Sequence, residues 1–255
     1  MERGNILGVG ISAVNMEMSL SLIDEWLQKR QQNYVLNIPA HLIVDAQRDP
    51  QLRRVINHAG LVNPDGMPVA WILRMMGFHH VGRVYGPDFM LAVCERSVAR
   101  GYKHFLYGGW PPAVTSRLAA KLCERFPGIR IVGQHTPPFR PITPEEDRAE
   151  IEKINAAAPD IVWCGLGAQK EEYWTSGHIG KVSATVLIGV GAAFDFNSGT
   201  KKQAPRWMMR AGLEWFFRLL TEPRRLWKRY LLGNPEFLAL ILRQALGRTP
   251  PALES

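Results

Sequence analysis

Short apolar runs recur through the middle of the chain, each closing on a glycine or a turn. HFLYGG (104–109), IRIVG (129–133), IVWCG (161–165) and ATVLIG (184–189) have strand length and are rich in β-branched and aromatic residues. A helical stretch fills the gap after the first run and stops at Phe126, before Pro127-Gly128. A polar loop over 134–142 leads to Thr143-Pro144-Glu145-Glu146, a capping box with proline at the first helical position, which predicts a helix to about Ala158. Strands that return every 25 to 30 residues with helices between them predict a parallel sheet with right-handed crossovers.

The first hundred residues follow the same rule. Helical patterns cover 18–30, 49–58 and 67–76. Short strands are expected at Tyr34–Asn37 and Leu61–Asn63, the second running into the turn Pro64-Asp65-Gly66. The expected fold is therefore α/β, a Rossmann-like parallel sheet with helices on both faces, over residues 1–200. Residues 201–255 read differently, as a helical appendage with helices near 205–220, 223–232 and 235–246, each opened by a proline (Pro205, Pro223, Pro235).

Composition adds bounds. At 255 residues and 46% hydrophobic, the chain can bury one large core plus an appendage, and wholesale disorder is excluded. Cys94, Cys123 and Cys164 lie too far apart to read as a disulfide scaffold or a zinc site. No apolar run reaches the ~18 residues of a membrane span. The opening Met1-Glu2-Arg3-Gly4-Asn5 lacks signal-peptide character, so a cytoplasmic location is the default expectation.

Charge changes the picture of the appendage. Residues 201–248 carry eleven Lys and Arg against Glu214, Glu222 and Glu236, which accounts for the whole net charge of +8. A neutral body with a basic tail points to a localised anionic partner. Trp207, Trp215, Phe216, Phe217, Trp227, Tyr230 and Phe237 lie among these charges, while Arg206, Arg210, Glu214 and Arg218, spaced by four, would form one polar helical stripe. This composition fits a membrane interface. It equally fits a nucleic-acid arm in which arginines meet phosphates and aromatics stack on bases. A plain helical subdomain with its aromatics inside is the third reading.

In open parallel sheets, ligands bind beyond the carboxyl ends of the strands. Those ends here carry Asn37, Asp65-Gly66, Gly108-Gly109, Gly165-Leu166-Gly167 and Gly189-Val190-Gly191. Such glycines can expose amides to a phosphate or serve only as turns. Asp65 is the strongest acid–base candidate, although a plain turn aspartate fits the same context. Gly8-Val9-Gly10-Ile11-Ser12-Ala13 matches a loose dinucleotide pattern, but the second strand ends at Asn37 rather than an acid, so no NAD site is expected. A P-loop, a nucleophile elbow, an Asp-x-Asp pair and metal-spaced histidines are all absent, and neither metal nor cofactor is expected.

Several segments together resemble one family. They are Pro64-Asp65-Gly66-Met67-Pro68-Val69, Arg83-Val84-Tyr85-Gly86-Pro87-Asp88, Phe105-Leu106-Tyr107-Gly108-Gly109, Gly165-Leu166-Gly167-Ala168-Gln169-Lys170-Glu171-Glu172 and Gly189-Val190-Gly191-Ala192-Ala193-Phe194-Asp195-Phe196. In the tail they are Ala204-Pro205-Arg206-Trp207, Gly212-Leu213-Glu214-Trp215 and Glu222-Pro223-Arg224-Arg225. In order and at compatible spacing over about residues 5–245, they are similar to the WecG/TagA/CpsF glycosyltransferases (glycosyltransferase family 26).

That resemblance implies an inverting, metal-independent transfer from a UDP-sugar donor to a polyprenyl-diphosphate-linked sugar acceptor, in bacterial surface-polysaccharide or cell-wall polymer synthesis. It implies Asp65 as the base, with Asn37, Arg83 and Asp88 at the acceptor or pocket. Gly108, Gly109, Gly165, Gly167, Gln169, Lys170, Glu172 and Asp195 would serve the donor. Arg206, Arg218, Arg224, Arg225 and Arg229 would meet a diphosphate or an anionic membrane at the inner face of the cell membrane, and the appendage would help close the site. A homo-oligomer is compatible, and no nucleic-acid partner is expected on this reading. The chain departs from the family pattern at Val35, at the longer Asn37–His41 stretch, at Gln169 and Glu171, at Pro137-Pro138-Phe139 and at Gln203. These departures gather where the donor is expected.

Overall fold

Strands buried on both faces need an apolar residue at nearly every position, and this chain supplies them. In a computed structural model, which describes residues 1–247 and 251–253, six strands pair in parallel in the order β4-β3-β8-β7-β5-β6. They are β3 (Asn33–Ile38), β4 (Leu61–Pro64), β5 (Lys103–Gly108), β6 (Arg130–His135), β7 (Ile161–Gly165) and β8 (Val186–Gly189). Side chains alternate between two cores: Tyr34, Leu36 and Ile38 enter one and Val35 the other; Val162 and Cys164 enter the first, Ile161 and Trp163 the second. The α/β class and the expected strands are borne out.

Helices cover both faces. On one side lie α1 (Met16–Lys29), α5 (Gly86–Arg100), α6 (Pro112–Arg125) and the short α9 (Ala193–Asn197). On the other lie α2 (Ala40–Arg48), α3 (Pro50–His58), α4 (Met67–Met75), α7 (Pro144–Ala156) and α8 (Lys170–His178). The capping box at Thr143 forms as its sequence predicts, with Glu146 reaching back to the Thr143 amide at 2.9 Å. The first strands were not anticipated: β1 (Arg3–Ile6) and β2 (Val9–Ser12) make an antiparallel hairpin. Gly8, at φ +82°, sits in its turn, so the glycine pattern there leads into a strand and not into a nucleotide-binding helix.

The appendage departs from the three expected helices. The helix anticipated over 205–220 is broken into α10 (Arg206–Arg210) and α11 (Glu214–Thr221). Gly212 makes the break at φ +73°, where a Cβ would come within 2.7 Å of the Trp71 ring. Arg206, Arg210, Glu214 and Arg218 therefore do not share one stripe. Beyond it, α12 (Pro223–Trp227), a π-helical turn (Lys228–Leu232) and α13 (Gly233–Ala245) follow without a gap, and Pro235 falls inside α13 rather than starting it. The wide π turn precedes a proline that cannot donate a helical bond.

The appendage folds back over the body. Phe237 is buried in the core, Arg48 pairs with Glu236 at 2.5 Å, and Gln244 takes the Leu7 amide and donates to the Asn5 carbonyl, both at 2.9 Å. Residues 248–250 and 254–255, Arg248 of the basic count among them, lie outside the described residues. Among the described residues, no helix is long and apolar enough to cross a membrane.

Candidate active site

Asp65 stands at the carboxyl end of β4, where its amide donates to the Ile38 carbonyl at 3.2 Å. The carboxylate enters a cavity of about 290 Å³. Met67, Pro68, Arg83 and Tyr85 form the body side of that cavity; Glu214, Trp215, Arg218, Tyr230 and Phe237 form the appendage side. Two segments distant in sequence thus enclose one carboxylate.

The electrostatics are specific. Arg83 contacts Glu214 Oε2, holds its guanidinium 3.8 Å from Asp65 Oδ1, and rests 4.1 Å from the centre of the Tyr85 ring. Asp65 Oδ1 is buried with no hydrogen-bond partner. Burial pushes the Asp65 carboxyl up to about 6; Arg83 opposes that shift, Glu214 adds to it, and the Gly86 amide and Arg218 pull it down. Such a group is ionised at neutral pH yet remains a useful proton acceptor. Arg218 lies 5.6 Å from the centre of the Phe196 ring, beside the same space. A cavity with two carboxylates, Asp65 and Glu214, two guanidinium groups and apolar walls can take a polar group attached to something greasy.

The other anticipated residues divide. Asn37 is buried, does not line the cavity and stitches the sheet: its amide donates to the Gly189 carbonyl at 2.7 Å and its oxygen accepts from Asn63 at 3.1 Å. Asp88 is outside the cavity, paired with Arg206 at 2.6 Å beside a separate groove containing Lys121, Arg125 and Gln203. Asp195 is neutralised by Lys201 at 2.8 Å, and Lys201 also reaches Glu222 at 3.1 Å. Gln169 turns to Asp45 at 3.1 Å, and Lys170 lies 4.8 Å from the centre of the Phe139 ring.

Glu172 is fully buried, and neither oxygen closes a hydrogen bond of good geometry; burial pushes its carboxyl up to about 7. Arg225 pairs with Glu222 at 3.1 Å, Arg224 is exposed, and Arg229 is half-buried within electrostatic reach of Glu172 and His41. Three of the glycines are explained by packing. A Cβ on Gly108 would meet the Gly165 backbone at 2.6 Å, one on Gly109 would meet Thr115 Oγ1 at 2.4 Å, and one on Gly165 would meet the Phe194 ring at 2.6 Å. Only Gly167 of this group, at φ +86°, has open space around it.

Sequence reasoning passed over Glu171 and Glu214. Glu171 accepts from the Gly167 amide at 3.2 Å and holds the Gly191 amide, tying together the loops after β7 and β8. Its carboxyl is raised well above the usual range by burial and by Glu172. The visible signal is a pair of adjacent carboxylates four and five residues after the Gly165-Leu166-Gly167 strand end. Glu214 lies in one of the family-like segments, yet its partner Arg83 is 131 residues away.

The profile of the glycosyl transferase WecG/TagA/CpsF family matches residues 4–251. The chain belongs to this family. It is similar to an N-acetylglucosaminyldiphosphoundecaprenol N-acetyl-beta-D-mannosaminyltransferase of Bacillus spizizenii, 26% identical over 89% of this chain and 85% of the relative. A protein of the same description from Bacillus subtilis is 30% identical over 78% of this chain and 75% of the relative. In this WecG/TagA/CpsF member three of the family-like segments meet: the Pro64-Asp65-Gly66 turn, Arg83 and the Gly212-Leu213-Glu214-Trp215 segment all reach one cavity.

Proposed function

We propose that the chain transfers a sugar from a UDP-sugar to a sugar carried on a polyprenyl diphosphate, with inversion, at a membrane surface. The observation that carries this reading is the Asp65 carboxylate in a cavity walled jointly by body and appendage, with Arg83 and Arg218 beside it. The two relatives, by their descriptions, act on an N-acetylglucosaminyl acceptor on undecaprenyl diphosphate and transfer N-acetylmannosamine. An acceptor and donor of that class are the natural starting point here.

In the proposed step an acceptor hydroxyl attacks the anomeric carbon as UDP leaves from the opposite face. One C–O bond forms, one breaks, and the hydroxyl proton goes to Asp65. A positioned carboxylate base is worth about 10²–10⁴-fold. The departing diphosphate is favoured by nearby guanidinium groups and loop amides. Gly167, where a Cβ would meet nothing within 4 Å, is the glycine best suited to close donor approach, its own amide being held by Glu171.

The appendage supports the membrane part of the reading. Trp207, Trp227, Leu231, Leu232, Leu238 and Leu242 are exposed, and Arg210, Arg224, Arg225 and Lys228 are exposed alongside them. Removing a prenyl chain from the bilayer costs about 0.8 kcal/mol per CH₂, so the enzyme goes to its substrate. Each basic residue near an anionic surface adds roughly 1 kcal/mol. The test is UDP release across a series of UDP-sugars with a short polyprenyl-diphosphate N-acetylglucosamine acceptor in vesicles. Acceptor-dependent release with one donor supports the proposal; none with any donor refutes it.

A further inference from the structure

We propose that Glu214 is a positioning residue: by holding Arg83 it keeps that guanidinium from closing onto Asp65, so that the base is free only when α11 is seated. The idea rests on reading Asp65 as the base. It is carried by geometry. Arg83 is nearly buried between two carboxylates, in contact with Glu214 and 3.8 Å from Asp65 Oδ1, too far for a hydrogen bond. Asp65 Oδ1 and Arg83 Nε are both buried without hydrogen-bond partners, so each could take a closer partner if Arg83 moved.

The surroundings narrow the alternatives. Groups facing Asp65 are Arg83 and Tyr85 from the segment before α5, the Gly86 amide, Glu214 and Arg218 from α11, and Glu171 from α8. Glu171 is already bonded to the Gly167 amide. With α11 lifted away, the carboxylate left beside Arg83 among the described residues is Asp65. A direct guanidinium–carboxylate pair would occupy the oxygens that must receive the proton and would weaken the base. Glu214 also acts directly, since its negative charge makes proton uptake by Asp65 easier. Both effects have the same sign. Seating α11 therefore arms the carboxylate.

The experiment compares full-length wild type, Glu214→Gln, Glu214→Asp and Asp65→Asn. It measures kcat/KM against pH with acceptor in vesicles, and titrates the Asp65 side-chain carboxyl by carbon-13 NMR. Glu214→Gln is expected to move the acidic limb and the NMR midpoint down by about one pH unit or more, with turnover at neutral pH falling about tenfold. Glu214→Asp keeps the charge and should lie between. A loss of activity with the limb and midpoint unmoved in both variants overturns the proposal and leaves Glu214 a packing residue. Near-normal turnover of Asp65→Asn is a separate failure, that of the base assignment; the NMR midpoints still decide whether Glu214 governs the Arg83–Asp65 approach.

Discussion

The Arg83 guanidinium and Asp65 Oδ1 stand 3.8 Å apart, near enough to attract and too far to bond. That spacing leaves a carboxylate whose proton affinity is set mainly by burial, and its consequences can be measured in both activity and stability.

The first prediction concerns pH. Asp65 is raised to about 6 in the folded chain from an ordinary value of 3.8. The unfolded chain therefore loses this proton first, and ionisation costs stability as pH climbs between those values. The cost is fully present above about 6 and absent below about 4. Asp65→Asn should raise stability at neutral pH by about 1–3 kcal/mol, with the gain vanishing in acid, while turnover falls about 10²-fold or more. Thermal melts across pH and UDP-release rates check both halves. A melt unchanged by the substitution at every pH would show that burial does not strain this carboxyl.

Arg218 supplies the second. It lines the cavity from α11 beside Phe196. Arg218→Ala should lower kcat/KM by about 10²-fold, as expected when a cation that stabilises developing negative charge is lost, with little change in melting temperature because the side chain is only half-buried. Arg218→Lys should recover part of the rate, since charge returns without the planar fork. Equal losses for both variants would point to geometry over charge.

Membrane association gives the third. Replacing exposed Trp227, Leu231 and Leu242 together by serine should weaken sedimentation with anionic vesicles by at least tenfold, since each removes buried apolar area at the interface. Raising salt should weaken binding further. Truncation at residue 200 is the poorer test, because it also strips Phe237 from the core and Glu214 and Arg218 from the cavity, so lost binding would not isolate the membrane face. Undiminished binding by the serine variant would move the membrane face elsewhere.

The glycines separate by packing. Gly108→Ala places a Cβ 2.6 Å from the Gly165 backbone at φ +122°, and should cost more than about 2 kcal/mol of stability. Gly167→Ala meets open space at φ +86° and should cost only about 1 kcal/mol. If Gly167 lies against the donor, its alanine variant should raise the KM for the UDP-sugar while folding normally. Melting curves and donor titrations distinguish the two.

Much of this is legible in the sequence alone. Periodic apolar runs and the Thr143 capping box specify local structure, and β5 to β8 formed close to where those patterns put them. The β1–β2 hairpin was not legible, because two four-residue strands on glycine-containing sequence leave no sustained alternation. The tail's helix boundaries failed at Gly212 because the reason for the break is Trp71, remote in sequence. At the site, Asp65 and Arg83 were reached from strand ends and motifs. Asp88 and Arg206 satisfy each other away from the cavity, which spacing alone cannot reveal.

One wall of the Asp65 cavity is made by Trp215, Arg218, Tyr230 and Phe237, which are among the later parts of the chain to be synthesised. During translation the sheet can assemble with its carboxylate still open to water, and the compartment closes only as helices α11 to α13 emerge and dock. A nascent chain of this protein would be folded in large part before it is competent, so that the reaction chamber is completed after the sheet beneath it.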